Sequence, residues 1–181
     1  MSEDVGRAPQ LIEIVARLRV ALGFACGVLV FWLATPKPAT ILAGFVVATA
    51  GELFRFWAAG HLNKSSEVTS SGPYRFVAHP LYLGSSAIGA GLALASGSIA
   101  VAAIVAVYLA ITLTAAIRSE EAFLRRVFEH EYAEYRHTGI VDADRRFSLA
   151  RAIANREHRA VAGLAIGLLL MAWKASYNGA F

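Results

Sequence analysis

Long apolar runs alternate with short polar breaks along most of the chain. Three of the five runs contain no charged residue, and each is close to the length that a helix needs to cross the apolar part of a bilayer. This pattern predicts an all-α integral membrane protein with five transmembrane helices in a single membrane domain, residues 1–181. The predicted spans are residues 20–35, 39–59, 81–95, 99–117 and 160–175.

The breaks predict how the spans are connected. Pro36–Pro38 and Ser96–Ser98 are long enough only for tight turns, so the first four spans form two helical hairpins. Residues 84–91 are mostly glycine, serine and alanine. Such small residues favour close helix packing in lipid, where no hydrophobic force draws helices together. The pairs Gly23/Gly27 and Gly163/Gly167 predict the same kind of packing on the first and last spans.

Composition and charge agree with a membrane location. Of the 181 residues 57% are hydrophobic and 17% are charged, and the mean hydropathy is +0.53. The net charge is +4, but the basic residues flank apolar runs, so membrane lipids are the expected partner and nucleic acid is not. The single cysteine, Cys26, lies within an apolar run and predicts neither an internal disulfide nor a cysteine-based metal site.

The distribution of basic residues predicts the orientation. With a cytoplasmic N-terminus, 15 of the 17 lysines and arginines lie on the cytoplasmic side, and only Lys37 and Lys174 lie opposite. Residues 60–80 and 118–159 then share the cytoplasmic face, and the C-terminus lies across the membrane. Residues 11–19 and 118–135 have the apolar spacing of interfacial helices, and residues 139–159 are expected to rest on anionic lipid.

The candidate chemistry lies in two polar segments that flank the second hairpin. In the first, Tyr74, His79 and Tyr82 follow a Gly-Pro turn and surround a His-Pro pair, which is typical of an aromatic belt or of a binding site. In the second, Glu120 and Glu121 lie where a span ends, and a carboxylate there needs a partner or a ligand, such as a cationic or hydroxyl-bearing group.

Other polar positions leave alternatives open. Glu52 and Arg55, three residues apart, most simply neutralise each other and otherwise point into the site. Leu124, Phe128, Tyr132 and Tyr135 share one helical face, as in a helix resting on the bilayer. The chain has no zincin pattern, so no metal site is predicted, and it has no phosphate-binding glycine loop.

Two linked motifs resemble the isoprenylcysteine carboxyl methyltransferase and phospholipid methyltransferase superfamily. They are Ser71-Gly-Pro-Tyr-Arg-Phe-Val-Ala-His-Pro-Leu-Tyr-Leu-Gly84 and, after one hairpin, Glu120-Glu-x-x-Leu-x-x-x-Phe-x-x-x-Tyr-x-x-Tyr135. The resemblance covers residues 55–135 and implies an integral membrane methyltransferase. It also implies that S-adenosylmethionine binds in a cytoplasmic-side pocket formed by segments 64–82 and 118–135 and leaves as S-adenosylhomocysteine.

The resemblance also implies roles for individual residues. Glu121 and Arg118 are the candidate catalytic groups. The cofactor-binding residues are expected to be Lys64, Val68, Thr69, Tyr74, His79, Pro80, Leu81, Tyr82 and Glu120.

Two departures from the family pattern concern the methyl acceptor. The family usually carries arginine where this chain has Ala78, and the carboxyl methyltransferases carry another where it has Ala116, which is thought to meet the substrate's carboxylate. Arg118 lies about 200° further around a helix and replaces it only if the helix has unwound. The expected acceptor is lipidic: a prenylcysteine carboxylate, or alternatively the amine of phosphatidylethanolamine. The alternative to an enzyme is a non-catalytic membrane protein with the same fold. The last span either closes the substrate entrance or forms a dimer.

Overall fold

The computed structural model describes residues 21–64, 66–130, 132–133 and 145–179, and every regular element in these residues is helical. The expected interfacial helix at residues 11–19, together with Tyr135, lies outside them. A 3₁₀ turn, Gly72–Arg75, precedes the second hairpin. The helices are α1 (Ala21–Leu33), α2 (Pro38–His61), α3 (Pro80–Ser96), α4 (Ile99–Val127), α5 (Leu149–Ala154) and α6 (Glu157–Tyr177).

Three helices, α2, α4 and α6, are long and apolar enough to cross a membrane, with 24, 29 and 21 residues. The apolar helices α1 and α3 are shorter. The structure therefore supports a helical membrane protein and, by length and composition, three of the five expected spans.

The helices run up and down, which gives the bundle two distinct ends. Residues 62–64 and 66–79 lie at one end, called here the loop end, and residues 34–37 and 97–98 form the opposite turn end. At the turn end the Thr35 N–H donates to the Ser96 carbonyl at 2.7 Å, and Gly97 takes the left-handed conformation (φ +63°) that ends α3. The Lys174 ammonium on α6 donates to the carbonyls of Phe31 (2.5 Å) and Trp32 (2.8 Å) near the end of α1.

The closest packing joins α2 to α3 through glycine. A Cβ added at Gly44 would lie 2.6 Å from the Ala95 nitrogen, and one added at Gly51 would lie 2.9 Å from the Gly84 carbonyl oxygen. The predicted close packing of the small residues on α3 is thus confirmed.

The glycine pairs on α1 and α6 pack helices closely at one position only. A Cβ added at Gly23 would lie 2.9 Å from the Tyr108 hydroxyl oxygen on α4, so the prediction holds there, but it is wrong for Gly27, Gly163 and Gly167. A Cβ at Gly27 or Gly163 would meet nothing within 4 Å, and one at Gly167 would make only ordinary contact at 3.5 Å. The helices separate here because the space beside these glycines belongs to a cavity.

The helix α4 continues without a break from Ser98, whose side chain accepts from the Val101 N–H, to Val127. The expectation of a separate interfacial helix that starts at residue 118 is wrong. Residues 118–127 have good helix formers and no break signal, so they continue the helix past the predicted end of the span at Ile117. Since the helix has not unwound, Arg118 keeps its position on the far side from Ala116 and does not replace the missing arginine.

Residues 145–157 pack against the loop end of α2 instead of only resting on lipid. The side-chain amide of Asn155 donates to the carbonyls of Ala59 (3.0 Å) and Leu62 (2.8 Å), and the Arg151 Nε donates to the Gly60 carbonyl at 2.9 Å. These bonds supply partners for carbonyls that the end of a helix otherwise leaves unpaired.

Candidate functional site

The two polar segments that flank the second hairpin meet at the loop end, as predicted. His79 caps α3 directly before Pro80, whose fixed φ suits the first helical position. Its Nε2 lies 3.3 Å from the Glu121 Oε1 on α4, and its Nδ1 lies 3.9 Å from the Glu120 Oε2. The histidine therefore links the start of α3 to the loop-end part of α4.

A large cavity of about 1510 Å³ extends from this junction into the bundle, lined mainly by α1, α4 and α6. Along α4 it runs from Tyr108 to Leu124, which corresponds to about 24 Å of helix. Its loop end is polar, while deeper in the bundle the wall is apolar and includes Phe31, Leu92 and Ile166. Polar and apolar ligand groups therefore have places in one continuous space.

The cavity ends toward the turn end at a buried apolar cluster. Val101 and Val105 of α4 pack there with Val30, Ala34 and Met171. Val30 and Met171 both line the cavity, so the cluster forms its floor.

Eight of the nine residues predicted to bind a cofactor line this cavity. Val68, Thr69 and Tyr74 are buried, and His79 and Tyr82 place their ring centroids 5.8 Å apart. The eight are Lys64, Val68, Thr69, Tyr74, His79, Leu81, Tyr82 and Glu120.

The remaining predicted residues do not line the cavity. Pro80 is fully buried at the start of α3, where it fixes the direction of the helix. Glu121 faces His79 and lies 4.0 Å from Arg125 on its own helix. The side chain of Arg118 is exposed. The structure therefore brings Glu121 to the edge of the site through His79 and leaves Arg118 outside it.

The segment that carries Val68 and Thr69 is held by apolar packing. Val68 is buried against Tyr132 after α4, with Leu124 and Phe128 packed beside them. The face expected to rest on the bilayer thus also covers the loop. The Thr69 hydroxyl accepts from the Asn63 N–H at 3.4 Å, which ties the loop back to the end of α2.

Arg55 is paired with a residue from the last helix and lines the cavity, which agrees with the second of the two predicted alternatives and not with simple neutralisation of Glu52. Its Nε lies 2.6 Å from the Glu157 Oε1, and its Nη1 donates to the Ser85 hydroxyl at 2.5 Å. Arg55, Ser85 and Glu157 all line the cavity. Glu52 is 6% exposed, and among the described residues neither of its carboxylate oxygens has a hydrogen-bond partner.

Sequence reasoning missed the contribution of the last helix to the site. Glu157 and Arg159 line the cavity from its start, and Asn155 lines it just before, although all three lie twenty or more residues beyond the motifs. The one available signal was that Glu157 lies three residues before an apolar run, where a carboxylate needs a partner.

No group of three or more histidine, cysteine, aspartate or glutamate side chains able to hold a metal ion occurs in the part of the chain that the structure describes.

Comparison with known proteins shows the family to which the chain belongs. Residues 21–131 match the family described as phospholipid methyltransferase. The nickel-cobalt-cadmium resistance protein NccN of Alcaligenes xylosoxydans xylosoxydans is 35% identical over 106 residues, which are 58% of this chain and 48% of that protein. The cobalt-zinc-cadmium resistance protein CzcN of Cupriavidus metallidurans is 36% identical over 96 residues, which are 52% of this chain and 43% of that protein.

The chain spans about half the length of the curated relatives that it matches. Their names describe resistance to metal ions and specify no substrate. No solved structure matches the chain.

Proposed function

Because the chain belongs to the phospholipid methyltransferase family, we propose that it is an integral membrane enzyme that transfers a methyl group from S-adenosylmethionine to a lipidic acceptor. The observation that carries this proposal is the single cavity that joins a polar loop end to an apolar interior. A polar donor then binds at one end while the lipid chain of an acceptor lies in the other.

The residues at the loop end fit the proposed cofactor. Its adenine ring matches the aromatic side chains of Tyr74, Tyr82 and His79, and its ribose hydroxyls and ammonium match the Glu120 carboxylate. The Lys64 ammonium provides a partner for its carboxylate. When bound, the cofactor supplies an activated methyl group on a sulfonium centre.

The site requires few acid or base groups for this reaction. Displacement at a methyl group depends mainly on holding the two reactants in line, which an ordered cavity provides. The contact between His79 and Glu121 restrains the histidine ring at the junction of the two segments. His79 then acts as a wall that orients ligands, and Glu121 acts through it.

We further propose that the chain crosses the membrane five times, with α1 and α3 completing the set of spans. The positive-inside distribution supports a cytoplasmic loop end, which places the N-terminus and the active site in the cytoplasm and the C-terminus across the membrane. Membrane lipids surround the helices, and the cofactor enters from water.

For the acceptor, we favour a prenylcysteine-like lipid carboxylate, because a carboxylate needs no deprotonation before it attacks the methyl group. The second candidate is the amine of phosphatidylethanolamine. Two observations favour it. The first is the family match, and the second is that the cavity wall has Ala116 where the carboxyl methyltransferases carry an arginine for the carboxylate. If the chain has no acceptor, the remaining alternative is a non-catalytic membrane protein that keeps the fold.

Binding of S-adenosylhomocysteine to the purified protein, measured by calorimetry in two detergents, tests the cofactor proposal. We expect the substitution Glu120→Gln to weaken binding about tenfold, since glutamine can still accept a hydrogen bond but no longer carries the charge that pairs with the cofactor's ammonium. The matched control Glu129→Gln changes an exposed glutamate that does not line the cavity and should leave binding unchanged. Absence of binding in both detergents would contradict an enzymatic role.

A second assay identifies the acceptor. The protein is incubated with S-adenosylmethionine labelled in the methyl group and with either farnesylated N-acetylcysteine or phosphatidylethanolamine. Base releases the label of a methyl ester as volatile methanol, and this result supports the carboxylate. Label that stays in a non-volatile product after base treatment is bound to nitrogen and supports the amine. Label in neither product, despite cofactor binding, would contradict both acceptors.

A further inference from the structure

The guanidinium of Arg55 lies in the wall of the cavity with donors to spare. An arginine has five N–H donors, and in the described part of the chain two are engaged, one by Glu157 and one by Ser85. Three donors therefore need acceptors within a cavity that is otherwise largely apolar.

In the ion pair of Arg55 with Glu157, the cation is more exposed than the anion. The Arg55 side chain is 23% exposed, and that of Glu157 is 4% exposed. A ligand in the cavity therefore meets the guanidinium first, while the carboxylate behind it holds the guanidinium in place.

Three helices build this arrangement. Arg55 comes from α2, Ser85 from α3 and Glu157 from the first turn of α6, which favours a negative charge. The absence of a side chain at Gly84 leaves room for Arg55, because a Cβ there would collide with the arginine Cγ. The guanidinium is thus fixed from two sides, as a planar group that recognises anions needs to be.

We propose that Arg55 binds the anionic group, a carboxylate or a phosphate, in the head of an amphiphile that occupies the cavity, and that Glu157 is the residue that positions it. This deepens the proposed function, because the amphiphile is then the methyl acceptor. The competing possibility is a cationic head attracted by Glu157 and by Glu52, which lies one helical turn from Arg55.

Binding of simple amphiphiles without cofactor tests this inference. The probes are dodecanoate, dodecyl phosphate and dodecylammonium, titrated calorimetrically into the full-length protein in a neutral detergent. We expect one or both anions to bind more tightly than the ammonium, and comparison of the two anions distinguishes carboxylate from phosphate. Tighter binding of dodecylammonium would overturn the proposal.

Variants separate anion binding from structural support. Arg55→Gln should weaken binding of the preferred anion about tenfold to a hundredfold, and the exposed control Arg126→Gln should not. Glu157→Ala should also weaken it, whereas Glu157→Gln, which retains an oxygen to accept from Nε, should restore binding close to that of the unchanged protein. Unchanged affinity in Arg55→Gln would overturn the proposal.

Cofactor binding provides the final control. Arg55→Gln should bind S-adenosylhomocysteine as the unchanged protein does, and a selective loss of that binding would assign Arg55 to the cofactor and overturn the inference. If the unchanged protein binds anionic amphiphiles but no S-adenosylhomocysteine, the proposed function fails while the anion site stands.

Discussion

One pair of glycines allows the helix packing to be tested with the same chemical change at two places. Replacing Gly27 or Gly91 by alanine adds one methyl group within a helix and, in each case, removes the backbone entropy cost of glycine, about 0.5–1 kcal/mol. The surroundings differ: a Cβ at Gly27 has open space, while one at Gly91 would lie 2.5 Å from the Ala48 nitrogen and 2.7 Å from the Gly44 carbonyl oxygen.

These contacts determine the expected magnitude. Carbon atoms pack at about 3.5–4 Å, so α2 and α3 must move apart by roughly 1 Å to accept alanine at position 91. Such overpacking costs about 1–3 kcal/mol, whereas Gly27→Ala costs nothing of this kind. Because the entropy contribution is the same in both variants, we expect them to differ by about 1–3 kcal/mol in unfolding free energy, with Gly27→Ala the more stable.

Thermal unfolding in detergent, followed by tryptophan fluorescence, measures this difference. For a chain of this length it corresponds to roughly 2–12 °C between the two midpoints. Equal shifts, or a lower midpoint for Gly27→Ala than for Gly91→Ala, would refute both the packing of α2 on α3 and the open space beside α1.

Two further predictions concern residues 145–157. Asn155→Ala removes two hydrogen bonds to the end of α2 and should lower the unfolding free energy by about 1–3 kcal/mol in the same assay, while Asn178→Ala, at the exposed end of α6, should have little effect. Arg145 forms a bidentate pair with Glu67 beside the cavity, so Arg145→Glu should weaken binding of S-adenosylhomocysteine and the double exchange with Glu67→Arg should restore it in part. Failure of the exchange to recover any binding would show that the pair does not position the loop.

Helix positions could be predicted from the sequence because apolar runs and turn residues are local signals. The helices α2, α3 and α6 begin and end within about three residues of their predicted spans. The helix α1 ends two residues before its predicted end, and α4 begins where predicted but runs ten residues further. The prediction ended that helix where its apolar run ends. A change from apolar to polar residues marks the edge of the membrane, however, and the backbone of residues 118–127 has no reason to leave the helical conformation there.

The candidate site could be predicted where two motifs lie on either side of one hairpin. A hairpin returns the chain to the same end of the bundle, so the meeting of His79 with Glu121 followed from the connection alone. The partner of Arg55 did not, because Glu157 is more than one hundred residues away and its approach depends on where α6 packs.

The glycine pairs show a different limit. Glycine spacing alone does not distinguish a place where helices touch from a place where they leave room. Gly44 and Gly91 touch across α2 and α3, whereas Gly27 and Gly163 line the cavity. Only the arrangement of the neighbouring helices separates the two cases.

The apolar floor of the cavity has a consequence for the movement of lipid head groups across the membrane. Val30, Val101 and Met171 close the space toward the turn end, so a bound lipid has no path for its polar head through the bundle. Under the proposed function, the methylated product returns to the leaflet that supplied the substrate. The enzyme would then alter the lipid chemistry of one leaflet only, and any appearance of product in the other leaflet would require a separate flippase.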